Sequence, residues 1–262
     1  MSVIALLTDF GIEDPFVGVM KGVVLRIAPR TQVVDLTHQI PPQNVALAAF
    51  HLLTAYPYFP LKTIFCCVVD PGVGTDRRAL AVQTERYFFV APDNGLLSWA
   101  LAKENVQQVV ELRNPRYQLP QQSSTFHGRD LFAPAAAFLA RGVPLEELGP
   151  SVAVEQLVKL PFPSPEKRGK EIQGAVVAID HFGNCITSIH SDDLPEAVQS
   201  ATIFIGSRSL EGIHRTFADV PPGAPVAYIG SFGYLEVALR NGNLAAAWNV
   251  QVGDPVTVRV QQ

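Results

Sequence analysis

The chain has 262 residues, 48% of them hydrophobic and 17% charged, with a formal net charge of −4. That length can bury a sizeable core and lies near the size at which one core divides into two domains. The acidic balance and the lack of a basic stripe argue against a nucleic-acid surface, whose affinity rests on neutralising phosphate.

The opening stretch MSVIALLTDFG has no charged n-region and meets an aspartate after a short apolar run. It is too short for a signal peptide or a membrane span. VIALLT (3–8) reads as a buried strand, and FVGVMKGVVLRIA (16–28) has its apolar residues at helical spacing. QVVDLT (32–37) is again strand-like and NVALAAFHLLTAY (44–56) helical. TIFCCVV (63–69) is a third strand-like run, and ALAVQT and YFFVAP, separated by Glu85 and Arg86, predict a hairpin. Strand alternating with helix predicts an α/β domain over residues 1–160, a largely parallel sheet flanked by helices. The three prolines and charge cluster of KLPFPSPEKRGKEIQ (159–173) predict a linker, set at 161–172. Beyond it GAVVAID, CITSIH, ATIFIG, PVAYIG, YLEVAL and PVTVRV predict six short strands without a long helix. That pattern makes a small all-β domain over 173–262, a barrel or sandwich. Cys66, Cys67 and Cys185 lack CxxC spacing and read as reduced core residues of a cytoplasmic protein.

Open parallel sheets bind ligands beyond the carboxyl ends of their strands. LLTDFG places Asp9 there, VVDPGVG places Asp70, and VAPDNG places Asp93 and Asn94. A turn or an N-cap accounts for any one of these. Asp9 and Asp70 together point to a ligand. The GVG turn lacks the lysine and hydroxyl of a P-loop and the spacing of a dinucleotide fold. A carboxylate at its start disfavours phosphate and favours a cationic or hydroxyl-rich ligand. In STFHGRDLFAPAAAFLARG (124–142) a helix is predicted from Asp130 onward, with His127 just before it. Helix N–H groups and dipole there disfavour an imidazolium. A capping or core role and a catalytic one both stay open for His127. No HxxxH, HExxH or carboxylate cluster suggests a metal site.

Six blocks in order, LLTDFG, VVDPGVGT.RR, APDNGLL, TFHGRD, AIDHFGNCITSI and GSFGYLEVA, resemble the S-adenosyl-L-methionine (SAM) hydroxide adenosyltransferase family. Its relatives are the SAM-dependent fluorinases and chlorinases. The resemblance implies an N-terminal α/β domain, a C-terminal β-barrel, and a homotrimer with active sites between neighbouring subunits. It implies a catalytic set of Asp70, Arg77 and His127, with Arg78 the alternative to Arg77. Asp9 would hold the ribose diol. Asp180 and Asn184 would meet the methionine amine and the adenine, and Ser231 the methionine carboxylate. Phe10, Phe126, Asn94, Tyr234 and Glu236 complete the implied substrate site. His127 and Gly128 stand where the halogenases have a tyrosine and a serine, Val73 stands for a threonine, and Phe232 for an arginine. Phe232 and Glu236 fit the hydroxide-using branch. The implied reaction is hydrolysis of SAM to adenosine and L-methionine by water or hydroxide at C5′. SAM is then the substrate, and no metal, other cofactor, nucleic acid or membrane is needed. A halogenase of the same fold, a non-catalytic SAM or adenosine binder, and a hydrolase-like enzyme acting on another nucleoside are the alternatives.

Overall fold

The first strand, β1 (Val3–Thr8), sends Ile4 and Leu6 into one apolar core and Ala5 and Leu7 into another. A strand buried on both faces needs a layer on each side. The structure, a computed structural model, describes residues 2–121, 123–195 and 200–260. It divides the chain into two compact units, Met1–Pro161 and Phe162–Gln262.

In the first unit β1 is followed by α1 (Phe16–Ile27), β2 (Gln32–Thr37), α2 (Val45–Ala55) and β3 (Ile64–Val68). Asn44 caps α2 by accepting from the Leu47 N–H at 3.0 Å, which fixes where that helix begins. The hairpin of β4 (Ala79–Thr84) and β5 (Phe88–Pro92) turns at Glu85 and Arg86. The short helix α3 (Ser98–Leu101) and the strand β6 (Val106–Glu111) follow. The sheet order is β2-β1-β3-β5-β4-β6, with β4 running against its neighbours and the other pairings parallel. Side chains of α1 pack in one core and those of α2 in the other. The chain leaves β1 toward β2 and returns across it to β3, so the strand order reverses at the β1/β3 boundary. In sheets of this kind the crevice beyond that boundary is where ligands sit.

Residues 128–140 are helical in two parts: a π-helical turn, Gly128–Phe132, runs into α4 (Ala133–Ala140). A π turn inserts an extra residue and is common at functional sites.

Among the described residues, the second unit is a nine-stranded, nearly barrel-shaped sheet. Its strands are β7 (Glu166–Arg168), β8 (Glu171–Ile179), β9 (Cys185–His190), β10 (Ala201–Ile205), β11 (Arg208–Glu211), β12 (Ile213–His214), β13 (Pro225–Ile229), β14 (Tyr234–Leu239) and β15 (Pro255–Val260). The order is β11-β10-β15-β8-β9-β14-β13-β12, with β7 beside β8. A short helix, α5 (Leu244–Trp248), lies between β14 and β15. Of the segment set aside as a linker, residues 166–168 and 171–172 are strand, because Lys167 pairs with Ile172 across a tight turn. Cys66, Cys67 and Cys185 are free and buried; burial pushes the Cys66 and Cys185 thiols up to about 12. No helix among the described residues is long and apolar enough to cross a membrane.

Candidate active site

A cavity of about 520 Å³ opens at the reversal point, lined by Asp9 and Phe10 after β1, Asp70 and Val73 after β3, and Phe126 and His127 before the π turn. Phe10, Phe16 and Phe126 meet edge to face, with ring centroids 5.2–6.1 Å apart, and form its apolar wall. A second depression, of about 400 Å³, lies at the amino ends of the same strands and has Lys62 as its one charged lining residue. None of the predicted site residues lines it.

Asp9 neither caps a helix nor turns back on its own loop. Its Oδ2 accepts the Gln43 N–H at 2.8 Å. Gln43 adopts φ +67, a left-handed conformation unusual for a residue with a Cβ. Asp70 is held by a two-point fork: Arg77 Nε donates to its Oδ1 at 2.9 Å, and a terminal nitrogen of Arg77 donates to its Oδ2 at 2.5 Å. That same guanidinium nitrogen lies 2.7 Å from His127 Nδ1. Asp70, Arg77 and His127 therefore form one chain of charge-assisted contacts at the cavity. The side chains of Arg77 and Asp70 are only 10% and 6% exposed. The Phe132 ring lies under the Arg77 guanidinium, 5.2 Å away.

The tautomer of His127 follows from its partner. A guanidinium only donates, so Nδ1 accepts and the ring hydrogen sits on Nε2. Burial holds the His127 pKa below its ordinary value, with the charge of Arg77 acting in the same direction; Asp70 and Asp130 pull weakly the other way. The cause is thus burial and Arg77, and no side-chain cap joins His127 to the helical turn that follows. A neutral ring with Nδ1 occupied has no lone pair left for a proton. It can only donate, through Nε2–H.

Arg78 faces elsewhere. It binds the Asp93 carboxylate at 2.8 Å through Nε and the Gln156 carbonyl through a terminal nitrogen, while Asp93 accepts from the Val158 N–H at 2.9 Å. Those bonds tie residues 156–158 to the sheet. Of the two arginines in TDRR, Arg77 is the one that meets Asp70 and His127. Asn94 is also occupied: it donates to the Val69 carbonyl at 2.8 Å and accepts from the Leu96 N–H at 3.2 Å. It fixes the end of β3 and does not line the cavity.

The remaining predicted residues lie in the second unit as two groups. Asp180 accepts from the N–H groups of Phe182 and Asn184 at 2.9 and 2.8 Å and from the Asn184 amide at 2.7 Å, closing the turn between β8 and β9. Glu236 stands opposite Ile186 at the start of β9 and accepts from the Tyr228 hydroxyl at 2.6 Å. Burial raises the Glu236 pKa, and the negative charge of Asp180 adds to this against the Tyr228 bond. Tyr234 stands at the other end of β9, opposite His190, whose ring it meets at 5.2 Å. Ser231 and Phe232 lie in the adjoining turn, closed by the Gly233 N–H on the Gly230 carbonyl at 3.0 Å.

Two positions that join the loops escaped the sequence reading. Gly74 has φ +80, and a Cβ there would stand 2.7 Å from the Ser124 carbonyl oxygen. The Asp70 loop and the segment leading to His127 thus touch through bare backbone. Asp130, fully buried, accepts from the Ser123 N–H at 2.7 Å and from Arg129 at 2.6 Å. It braces the same segment. The glycine after VVDPGV and the acid in HGRD were the available signals.

Fold and site define a class: a two-unit protein, α/β followed by all-β, with an acid–guanidinium–imidazole chain where the parallel strand order reverses. The chain belongs to the SAM hydroxide adenosyltransferase family, whose N-terminal domain matches residues 4–149 and C-terminal domain residues 174–257. It is 46% identical, over 98% of this chain and 99% of the other, to the (R)-S-adenosyl-L-methionine hydrolase of Thermus thermophilus. A fluorinase from Actinoplanes is 30% identical over 98% of this chain and 97% of its own. The crystal structure of a conserved protein from Thermotoga maritima superposes with a TM-score of 0.92 at 35% identity, covering 98% of this chain and 99% of that one.

Proposed function

We propose that the protein hydrolyses SAM to adenosine and L-methionine, with water adding at C5′ of the ribose. The chain from Asp70 through Arg77 to His127 at the cavity carries this reading. The C5′–O bond forms as the C5′–S bond breaks, and its electron pair goes to sulfur, so methionine departs as a neutral thioether. The leaving group needs no acid. The nucleophile needs help, because bulk water is far too weak an acid to supply hydroxide at neutral pH.

His127 Nε2–H and the Asp70 carboxylate supply complementary contacts to one water molecule. The imidazole donates to the water oxygen and fixes its position. Asp70 accepts the water's hydrogen bond and receives the proton as the new bond forms. Arg77 spans the two and offsets the negative charge that develops on oxygen. Attack on a sulfonium cancels charge, so the aromatic wall of Phe10, Phe16 and Phe126 favours the reaction by limiting water around it. Asp9 accepts from the ribose diol with the lone pairs that Gln43 leaves over. An ionised carboxylate can take both hydroxyls.

Asp180, Asn184, Ser231, Tyr234 and Glu236 serve, on this reading, the methionine and adenine ends of the substrate. They do so from a neighbouring copy in a closed trimer with heterologous contacts. Neither metal nor redox cofactor takes part, since the leaving group is already activated as a sulfonium. Chromatography of a SAM incubation tests the reading: adenosine and methionine in equal amounts support it. 5′-Chloro- or 5′-fluoro-5′-deoxyadenosine in the presence of halide would assign the chain to halogen transfer, and binding without products would make it a carrier.

A further inference from the structure

The loop that carries Asp9 is held from beneath by residues that do not line the cavity. Thr8, the last residue of β1, is fully buried, and its hydroxyl lies 2.9 Å from His38 Nδ1. The Phe10 N–H donates to the same hydroxyl oxygen at 3.2 Å. His38 is itself buried, and its Nε2 faces Asp35 Oδ1 at 3.0 Å, although off the line of a true hydrogen bond. The other Asp35 oxygen takes the Lys21 ammonium at 2.6 Å. The backbone of His38 adds a further tie, its carbonyl accepting the Gly11 N–H at 2.8 Å. Residues 8 and 11 are thus bound to His38, residue 10 to the Thr8 hydroxyl, and residue 9 to Gln43.

Bond polarity gives these contacts a direction. A carboxylate only accepts, so the hydrogen of His38 belongs on Nε2, facing Asp35. With the ring neutral, Nδ1 accepts from the Thr8 O–H, which leaves the Thr8 oxygen to accept from the Phe10 N–H. The Phe10 N–H and the Thr8 O–H then both point from the loop toward His38, and such head-to-tail pairs reinforce one another; Asp35, facing the far side of the ring, takes the Lys21 ammonium on its other oxygen. A buried threonine hydroxyl and a buried imidazole cost free energy unless both are bonded. Valine has the shape of threonine and would fill the strand end without a polar group. A polar pair here has its use in the loop that it holds.

We propose that Thr8 and His38 are positioning residues that set the Asp9 carboxylate against the ribose diol of an adenosyl ligand. This rests on the SAM reading of the cavity. Of the two cavity residues that the lock flanks or holds, Phe10 offers only apolar contact, so the part of its effect that depends on the two ribose hydroxyls runs through Asp9. Removing it weakens ligands that carry the diol and spares ligands that lack it.

The test compares adenosine with 2′,3′-dideoxyadenosine by titration calorimetry, in the wild type, Thr8→Val, Thr8→Ser, His38→Leu and His38→Asn. The wild type prefers adenosine. Thr8→Val and His38→Leu shrink that preference by about tenfold, as expected for loss of one or two hydrogen bonds from the loop, and hold dideoxyadenosine affinity within about threefold. Thr8→Ser restores the preference, and so does His38→Asn, whose amide oxygen can replace Nδ1 as acceptor. With SAM, KM rises in Thr8→Val while kcat stays within about threefold. An unchanged preference in both Thr8→Val and His38→Leu overturns the proposal. So does an equal loss for both ligands, which would mark general structural damage. If one variant is too unstable to titrate, the other carries the comparison. Wild-type protein that prefers adenosine but leaves SAM intact refutes the hydrolase reading and not the lock. Wild-type protein without that preference refutes the lock, whatever becomes of SAM.

Discussion

Replacing Arg77 by lysine keeps a positive charge beside Asp70 and removes the fork. In the native site Nε and one terminal nitrogen hold Asp70 at 2.9 and 2.5 Å, and that terminal nitrogen also reaches His127 at 2.7 Å. A lysine ammonium is a point donor on a flexible stem and cannot span both partners. With Asp70 nearer, the bond to His127 is the one lost. Hydrogen bonds to charged groups are worth about 1.5–3 kcal/mol, and each 1.4 kcal/mol is tenfold in rate. Arg77→Lys should therefore lower the single-turnover rate of SAM cleavage by about 10- to 100-fold. Adenosine affinity should stay within about threefold, because the proposed ribose contact belongs to Asp9. Rapid-quench mixing with excess enzyme reads the rate, and calorimetry the affinity. Arg78→Lys is the control. Its native bonds go to Asp93 and the Gln156 carbonyl, so it should lower the melting temperature and leave the rate within about threefold. A normal rate in Arg77→Lys with a collapsed rate in Arg78→Lys would refute the assignment of the two arginines.

Three further variants, a pH series and treatment with a chelator probe other parts of the account. Since His127 must be neutral and its pKa is held below the free value of about 6.5, kcat should fall on the acid side with its midpoint below that value. His127→Asn should slow the reaction by about 10²-fold or more and abolish that acid limb; a limb above pH 7 assigned to His127 would contradict the reasoning. Gly74→Ala, strained at φ +80 and pressed on the Ser124 carbonyl, should cost about 1–3 kcal/mol of stability and lower kcat. Unchanged melting and turnover would show that the two loops are not so joined. The folded pKa of Glu236 is raised, so its stabilising contribution is present below the unfolded value of about 4.3 and is lost as pH rises through the folded one. Glu236→Gln should accordingly gain melting temperature relative to wild type as pH rises from 4 to 7, and an offset independent of pH would count against the burial argument. Dialysis against a chelator should leave turnover unchanged, whereas loss restored by a divalent ion would end the metal-independent mechanism.

The parts of the fold written in periodicity were legible. VIALLT, QVVDLT and TIFCCVV are strands because each alternates between two cores, and Asn44 marks the start of α2 as its residue type suggests. Elements held by pairing were not. β6, VQQVVE, carries glutamines among its apolar residues and is a strand because β4 pairs with it. The charged β7 exists through a turn onto β8. At the site, the carboxylates at strand ends pointed to Asp9 and Asp70, since chain direction alone places them. The choice between Arg77 and Arg78 was not written locally. It depends on Asp93 and Gln156, which lie 15 and 78 residues further on. Asn94 was read from its residue type as a ligand contact, and its bonds to the backbone of Val69 and Leu96 could not be read from that type.

Turnover in water enriched in heavy oxygen tests the central claim most directly, because it follows the atom that the Asp70–Arg77–His127 chain is proposed to deliver. Mass spectrometry of the products should find one heavy oxygen in adenosine, at the 5′-hydroxyl, and none in methionine. Unlabelled adenosine, or free adenine or homoserine lactone as the main product, would mean that the bond broken is not C5′–S or that water is not the nucleophile, and would contradict the account.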